Sequence, residues 1–175
     1  MAQRLWTAAA RRRFVSFFLM IDSNVRRATT TDLPEVASLM HESFVEFRSL
    51  YTEAAFLATT PKVDQLGRRL EEGPVWIATI EDKIVGTVSA VERGNDLYIR
   101  GMAVLPSARG HRLGELLLKQ TEDFGGERNC RRLVLSTTPF LHRAIKLYER
   151  NGFRRTDEPP HDLFGTPLFT MVKML

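Results

Sequence analysis

The sequence holds a single cysteine, Cys130, in 175 residues. One cysteine excludes a disulfide framework within the chain and a cysteine-rich zinc site, and it suits a reducing, cytoplasmic compartment. No apolar run approaches the ~20 residues of a membrane-spanning helix, so no membrane partner is expected. Internal repeats, low-complexity tracts and a dividing linker are all missing. Charge of one sign is scarcer than it looks. The formal net charge is +4, but Arg4, Arg11, Arg12 and Arg13 fall within the first twenty residues, which contain no acid. Removing those four from the 25 Lys and Arg leaves 21, equal to the 21 Asp and Glu. The remainder is neutral and gives no reason to expect nucleic acid as a partner.

The length suits one domain with a sizeable core. Residues 1–23 stand apart as a flexible arm or an over-long start, with Met20 as an alternative initiator. The short apolar run Phe14 to Met20 is a weak match to a targeting signal. Residues 24–175 read as a single domain.

What the sequence does contain is concentrated in Leu97 to Phe124. Leu97 to Leu105 reads as a buried strand. Pro106-Ser107-Ala108 breaks it. A helix is expected from Arg109 or Gly110, with Leu113, Leu116, Leu117 and Phe124 on one face and an end at Gly125-Gly126. A helix start bearing Gly110 and Gly114 presents free N–H groups and the positive end of the helix dipole, a natural seat for phosphate. Arg109 and Arg112 add positive charge. The glycine spacing fits neither the nucleotide P-loop nor the dinucleotide fingerprint. Glycines that merely permit close packing would explain the same residues.

This stretch resembles the acyl-CoA loop of the GNAT superfamily of N-acyltransferases, Arg/Gln-x-x-Gly-x-Gly/Ala after a strand ending in Val-x-Pro. Here Val104-Leu105-Pro106 precedes Arg109-Gly110-His111-Arg112-Leu113-Gly114. Arg112 departs from the pattern, standing where the family has a small residue, so its side chain must swing clear of the diphosphate. A second block, Ala144-Ile145-Lys146-Leu147-Tyr148-Glu149-Arg150-Asn151-Gly152-Phe153, is similar to the family's Ala-x-x-Leu-Tyr-x-x-x-Gly-Phe. Many members also carry an Asn three positions before that Ala, holding the pantetheine arm. This chain has Leu141 there, so the contact is lost or falls to Ser136, Thr137 or Thr138.

The remaining elements follow by pattern. Strands are expected at Val25 to Ala28, Val75 to Ile80, Ile84 to Val91, Arg132 to Ser136, Phe153 to Thr156 and Leu168 to Met174. Helices are expected from Thr31-Asp32-Leu33-Pro34-Glu35 onward, after Thr60-Pro61, and over Leu141 to Arg150. Tyr51 to Ala58 reads as a short helix or a loop. The order implies an α/β (α+β) fold: a mixed, mostly antiparallel sheet of about six to seven strands with helices on both faces. It is also the order of the GNAT fold, a resemblance covering roughly Val25 to Leu175.

The resemblance implies direct transfer of an acetyl group from acetyl-CoA, the co-substrate, to a primary amine of a small molecule. Met102, Ala103 and Val104 would pair with the pantetheine amides. Arg109, Gly110, His111, Arg112, Leu113, Gly114 and Glu115 would hold the pyrophosphate. Tyr148 would return a proton to the sulfur, though it also lies on the packing stripe of Leu141, Ala144 and Ile145. No metal is implied. Candidate bases are Glu46, Glu53, Glu81, Glu92, His111, His161 and Asp162, or a water chain. Asp96 lies about 20 Å along the strand from Met102, too far to serve. Glu46, Arg48, Tyr51, Tyr98 and Arg100 could face the acceptor. An Arg there suits a carboxylate, although a surface ion pair is its commoner role. A protein or peptide acceptor and a non-catalytic acyl-CoA-binding module are the alternatives. Monomer and homodimer are both open.

Overall fold

A computed structural model of the chain describes residues 23–175. The arm of residues 1–22, with its targeting and initiator readings, lies outside the described residues. The strands are β1 (Ser23–Arg27), β2 (Val75–Ile80), β3 (Lys83–Arg93), β4 (Asp96–Val104), β5 (Arg132–Thr137), β6 (Arg154–Arg155), β7 (His161–Leu163) and β8 (Thr166–Met174). The helices are α1 (Leu33–Phe44), α2 (Glu53–Thr59), α3 (Val63–Glu72), α4 (Leu113–Glu127) and α5 (His142–Arg150). The sheet runs β1-β2-β3-β4-β5-β8-β6, with β7 pairing to β8 off that path. Every pairing is antiparallel except β4 with β5.

Alternation along the strands divides the core between two faces. Trp76, Ala78, Leu97 and Ile99 pack with Leu113 and Leu117 of α4 and Tyr148 of α5. Ile77, Ile84 and Ala103 pack with Val36, Leu39 and Met40 of α1 and Leu66 of α3. Helices therefore cover both faces, as the element order implies. At ~25 cal/mol per Å², one fully buried leucine of either cluster contributes about 2 kcal/mol.

α1 begins at Leu33, with Pro34 in its first turn. Asp32 ties the entry down. It accepts from the Thr29 backbone N–H at 2.7 Å and from both terminal nitrogens of Arg26 at 2.8 Å. The Arg26 guanidinium, foremost, and the Thr29 donors hold the Asp32 carboxyl well below the usual carboxylate range.

Four details differ from expectation within that fold. There are eight strands, because His161–Leu163 forms a short hairpin with β8 through Phe164 and Gly165, both at positive φ. Three residues are too few to show alternation, so Pro159 and Pro160 beside them read as loop. The motif helix begins at Leu113 rather than Arg109, since Gly110 (φ +89°) and Arg112 (φ +59°) are left-handed. Leu116 lies exposed on it, while Leu118 joins the core. The same helix runs through Gly125 and Gly126 to Glu127. Gly125 serves packing: a Cβ there would lie 2.7 Å from Leu175 and 3.2 Å from Leu133.

Candidate active site

The site begins where β4 and β5 part. Their parallel pairing runs from Asp96↔Arg132 to Ile99↔Leu135 and stops. β4 continues to Val104, still paired to β3 through Thr87↔Ala103 and Gly86↔Val104. Among the described residues, no strand pairs with its other edge from Arg100 onward. A bulge aids the divergence. Thr87 pairs with Ala103 but Ser89 with Arg100, so Val88 faces both Gly101 and Met102. Gly101 sits at φ +64°, which a bulge favours in glycine. A lone glycine inside an apolar run is a bulge signal, and sequence reasoning passed over it.

The gap opens into a cleft of about 1070 Å³ running between the two faces of the sheet. Met102, Ala103, Val104, Arg109, Gly110, Arg112, Leu113, Gly114, Glu115 and Tyr148 all line it. His111 alone among the expected residues does not; its ring nitrogen Nδ1 lies 3.1 Å from the Ala108 carbonyl oxygen.

The loop into α4 gives the cleft its donors. Among the described residues, no carbonyl or side chain accepts from the backbone N–H groups of Gly110 to Glu115. Unclaimed donors at a helix start suit an anion. Gly110 has open space where a Cβ would sit, so its role is conformational. Gly114 instead allows approach: a Cβ there would lie 2.6 Å from Leu147 and 3.4 Å from Met102. The arginines contribute less net charge than the sequence suggests. Arg109 is paired with Glu46, and Arg112 with Glu115 at 2.7 Å. The Arg112 side chain is 83% exposed.

Tyr148, from α5, is 8% exposed and packs against Phe153 with ring centroids 5.8 Å apart. It belongs to the core and lines the cleft at once. Burial first, then the neighbouring Tyr51, pushes its hydroxyl up to about 12. It is therefore un-ionised at neutral pH and carries a proton it could give. Burial also raises Tyr51, opposed by the adjoining side chains of Thr138 and Thr59. Tyr51, Phe47 and Phe140 form an aromatic wall, with Tyr51 and Phe140 4.9 Å apart edge to face.

Several buried polar atoms lining this cleft have no hydrogen-bond partner among the described residues: Ser43 Oγ, Arg100 Nε and Thr138 Oγ1. Such atoms are costly unless a ligand or water satisfies them. Neither Ser43 nor Arg69, which also lines the cleft, was singled out from the sequence.

Of the candidate bases, only Glu46 lines this cleft, and Arg109 holds it. Glu53 pairs with Arg48 at the surface, and Glu92 with Arg128. Glu81 sits in the two-residue turn between β2 and β3. His161 lies 3.2 Å from Ser136 Oγ, and Asp162 accepts from the Gly165 N–H at 2.7 Å. Both line a smaller cleft of about 460 Å³ instead. Asp96 is bound by Arg132. Burial pushes the Cys130 thiol up, which argues against a thiolate nucleophile. No helix among the described residues is long and apolar enough to cross a membrane.

Comparison with known proteins gives concordant matches. Residues 34–153 match the sequence profile of the Acetyltransferase (GNAT) family. The chain is 25% identical to the Probable N-acetyltransferase camello of Xenopus laevis, over 95% of this chain and 81% of that one. It is 35% identical over 85 residues to the N-acetylaspartate synthetase of Danio rerio, covering 47% of this chain and 30% of the relative. Its fold is similar to the PaiA N-acetyltransferase of Thermoplasma acidophilum, solved with coenzyme A. There the TM-score is 0.75 at 16% identity, over 87% of this chain and 99% of that one.

Proposed function

The chain belongs to the GNAT family of acetyltransferases and uses acetyl-CoA as co-substrate; from that premise we propose that it acetylates the primary amine of a small molecule, with Tyr148 as the acid. One observation carries this reading. Gly110 and Arg112 to Glu115, with their unclaimed N–H groups, the open edge of β4 and the neutral Tyr148 all border one cleft.

Acetyl-CoA supplies the acetyl group as a thioester. The N–H groups of Gly110 to Glu115 hold its diphosphate, and Met102, Ala103 and Val104 pair with its pantetheine amides as an added strand would. A β4 N–H polarises the thioester carbonyl as charge builds on its oxygen. Thr138, buried beside Tyr51 on the cleft wall, takes the pantetheine contact that Leu141 cannot make. The amine nitrogen attacks the carbonyl carbon, the N–C bond forms and the C–S bond breaks. With Glu46 held by Arg109, the amine's proton leaves through water. Tyr148 gives its proton to the sulfur and is reprotonated from solvent.

The small-molecule reading is supported by a bridge beside the cleft. The Thr52 N–H donates to Thr166 Oγ1 at 3.0 Å, and Thr52 Oγ1 donates to the Phe164 carbonyl at 2.8 Å. This ties the start of α2 to the β7–β8 turn, while Tyr51 and Leu163 line the cleft beside it. An extended polypeptide has less room there than a small amine. The name of the N-acetylaspartate synthetase points the same way. We take residues 24–175 as the catalytic unit and a cytoplasmic setting as the one that suits a free Cys130. The test pairs calorimetric binding of acetyl-CoA with thiol release across small amines and peptides. Release with peptides alone would overturn the small-molecule reading.

A further inference from the structure

The acceptor side of the cleft has its own charge pattern. Along β4, Leu97 and Ile99 face α4, so Tyr98 and Arg100 alternate to the opposite face. There Arg100 meets Arg69 of α3, and both line the cleft. Glu72 pairs with Arg100. Among the described residues Arg69 has no ion pair, and its one hydrogen bond is a long contact of 3.4 Å to the Ala58 carbonyl. Two guanidiniums thus share one carboxylate, which leaves a single uncompensated positive charge in a half-buried place. Arg100 Nε is itself buried and unpartnered. The charge sits beside the β4 bulge. A Cβ on Gly101, in the bulge where β4 leaves β5, would lie 2.6 Å from Arg69 Nη1. Acids elsewhere in the cleft are spoken for, Glu46 by Arg109 and Glu115 by Arg112.

We propose that Arg69 and Arg100 bind a carboxylate on the acceptor, and that the acceptor is an α-amino acid or a close analogue, its amine one carbon away from that carboxylate. The inference rests on reading this cleft as the site of acetyl transfer. A monoanion matches the single spare charge, and guanidinium recognises carboxylate through two parallel hydrogen bonds. Ser43 Oγ, unpartnered on the same side, offers a further contact. The aromatic wall of Phe47, Tyr51 and Phe140 leaves the amino acid's side chain an apolar surface to lie on. Burial and the neighbouring Arg100 lower Arg69 to about 10, so it is still a cation at neutral pH.

The test uses the full chain, saturating acetyl-CoA and thiol release. The twenty amino acids are compared with their methyl esters and with the amines left after decarboxylation. The expected result is a preference of about 10²-fold in kcat/KM for at least one free acid over its ester, since a site built to pair a group rejects the analogue lacking it. In Arg69→Met that ratio should fall toward one, chiefly through KM, and Arg69→Lys should restore part of it. Acetyl-CoA affinity, measured by calorimetry in the same variants, should stay within about twofold, because the diphosphate donors lie on the loop into α4. Esters or plain amines acetylated as well as the acids would overturn the proposal, as would a preference that survives Arg69→Met. If Arg69→Met does not fold, the acid-to-ester ratio of the unaltered enzyme decides alone. Unaltered enzyme that binds no acetyl-CoA would overturn the acetyl-transfer reading and this inference with it. Acetyl-CoA binding with turnover of non-acidic amines only would overturn this inference alone.

Discussion

Replacing Tyr148 by Phe removes one oxygen from a side chain that is 8% exposed and leaves the ring against Phe153 in place. Nearly all the volume is conserved, so stability should change by less than about 1.5 kcal/mol. Acetyl-CoA affinity should hold too, because the loop donors and the β4 edge lie on other elements. What is lost is the proton for the departing sulfur. A positioned general acid contributes about 10²- to 10⁴-fold, and water reaching the gap would supply part of the difference. A fall of about 10²-fold in turnover follows, or ~2.7 kcal/mol of transition-state stabilisation. The assay is steady-state thiol release at saturating acetyl-CoA, with affinity measured separately by calorimetry. Since burial lifts the hydroxyl to about 12, the unaltered enzyme should lose no activity through Tyr148 ionisation up to about pH 10. Unchanged turnover in Tyr148→Phe, where chemistry limits the rate, would return this tyrosine to a packing role beside Ala144 and Ile145.

Two further outcomes are expected. Gly101→Ala places a Cβ 2.6 Å from Arg69 Nη1 and 3.2 Å from Met40 Cε at φ +64°; denaturant unfolding should show a loss of about 1–2 kcal/mol, with lower turnover as the bulge relaxes. Asp32→Asn breaks the charged hydrogen bonds from Arg26 and Thr29 and should cost about 2 kcal/mol at pH 7. The folded-state pKa of Asp32 is depressed, so its contribution is present above the unfolded value near ~4 and fades as pH falls below it; the gap between variant and parent should close in acid, and a constant gap would contradict the ion-pair account.

The residues that were legible in the sequence are those whose local pattern and chemistry agree. Leu97 to Val104 alternates and is apolar, so it reads as the central strand, and Tyr148 falls on a helical stripe closed by Asn151-Gly152. The start of α4 was misread because Arg112 occupies the left-handed region, which an arginine rarely does. That conformation is set by how the loop meets the sheet, a tertiary effect. Gly125-Gly126 looked like a helix end, but Gly125 answers to Leu133 of β5 and to Leu175, which only the folded sheet brings against it.

Arg69 shows how a site residue hides in a charged helix. Arg68 and Arg69 are neighbours in α3, and composition does not separate them. Helical phase does. Arg68 stands four residues after Asp64, with which it pairs in solvent, whereas Arg69 stands three after the buried Leu66 and so turns toward the sheet. Ser43 beside Phe44 is less accessible to such reasoning, because a buried hydroxyl without a partner is a property of the folded cleft and not of the local pattern.

The diphosphate seat on Gly110 to Glu115 is the claim on which the rest depends, and calorimetry of acetyl-CoA binding to Gly110→Ala and Gly110→Asp tests it most directly. Both substitutions strain a residue at φ +89°, costing each about 1–2 kcal/mol of stability. Neither Cβ meets a neighbour, since the space at Gly110 is open. Only Asp brings a negative charge against the bound diphosphate. The account predicts that folded Gly110→Asp binds acetyl-CoA at least ~10-fold more weakly than Gly110→Ala, with the difference shrinking as salt is raised. Equal affinity of the two variants would contradict it.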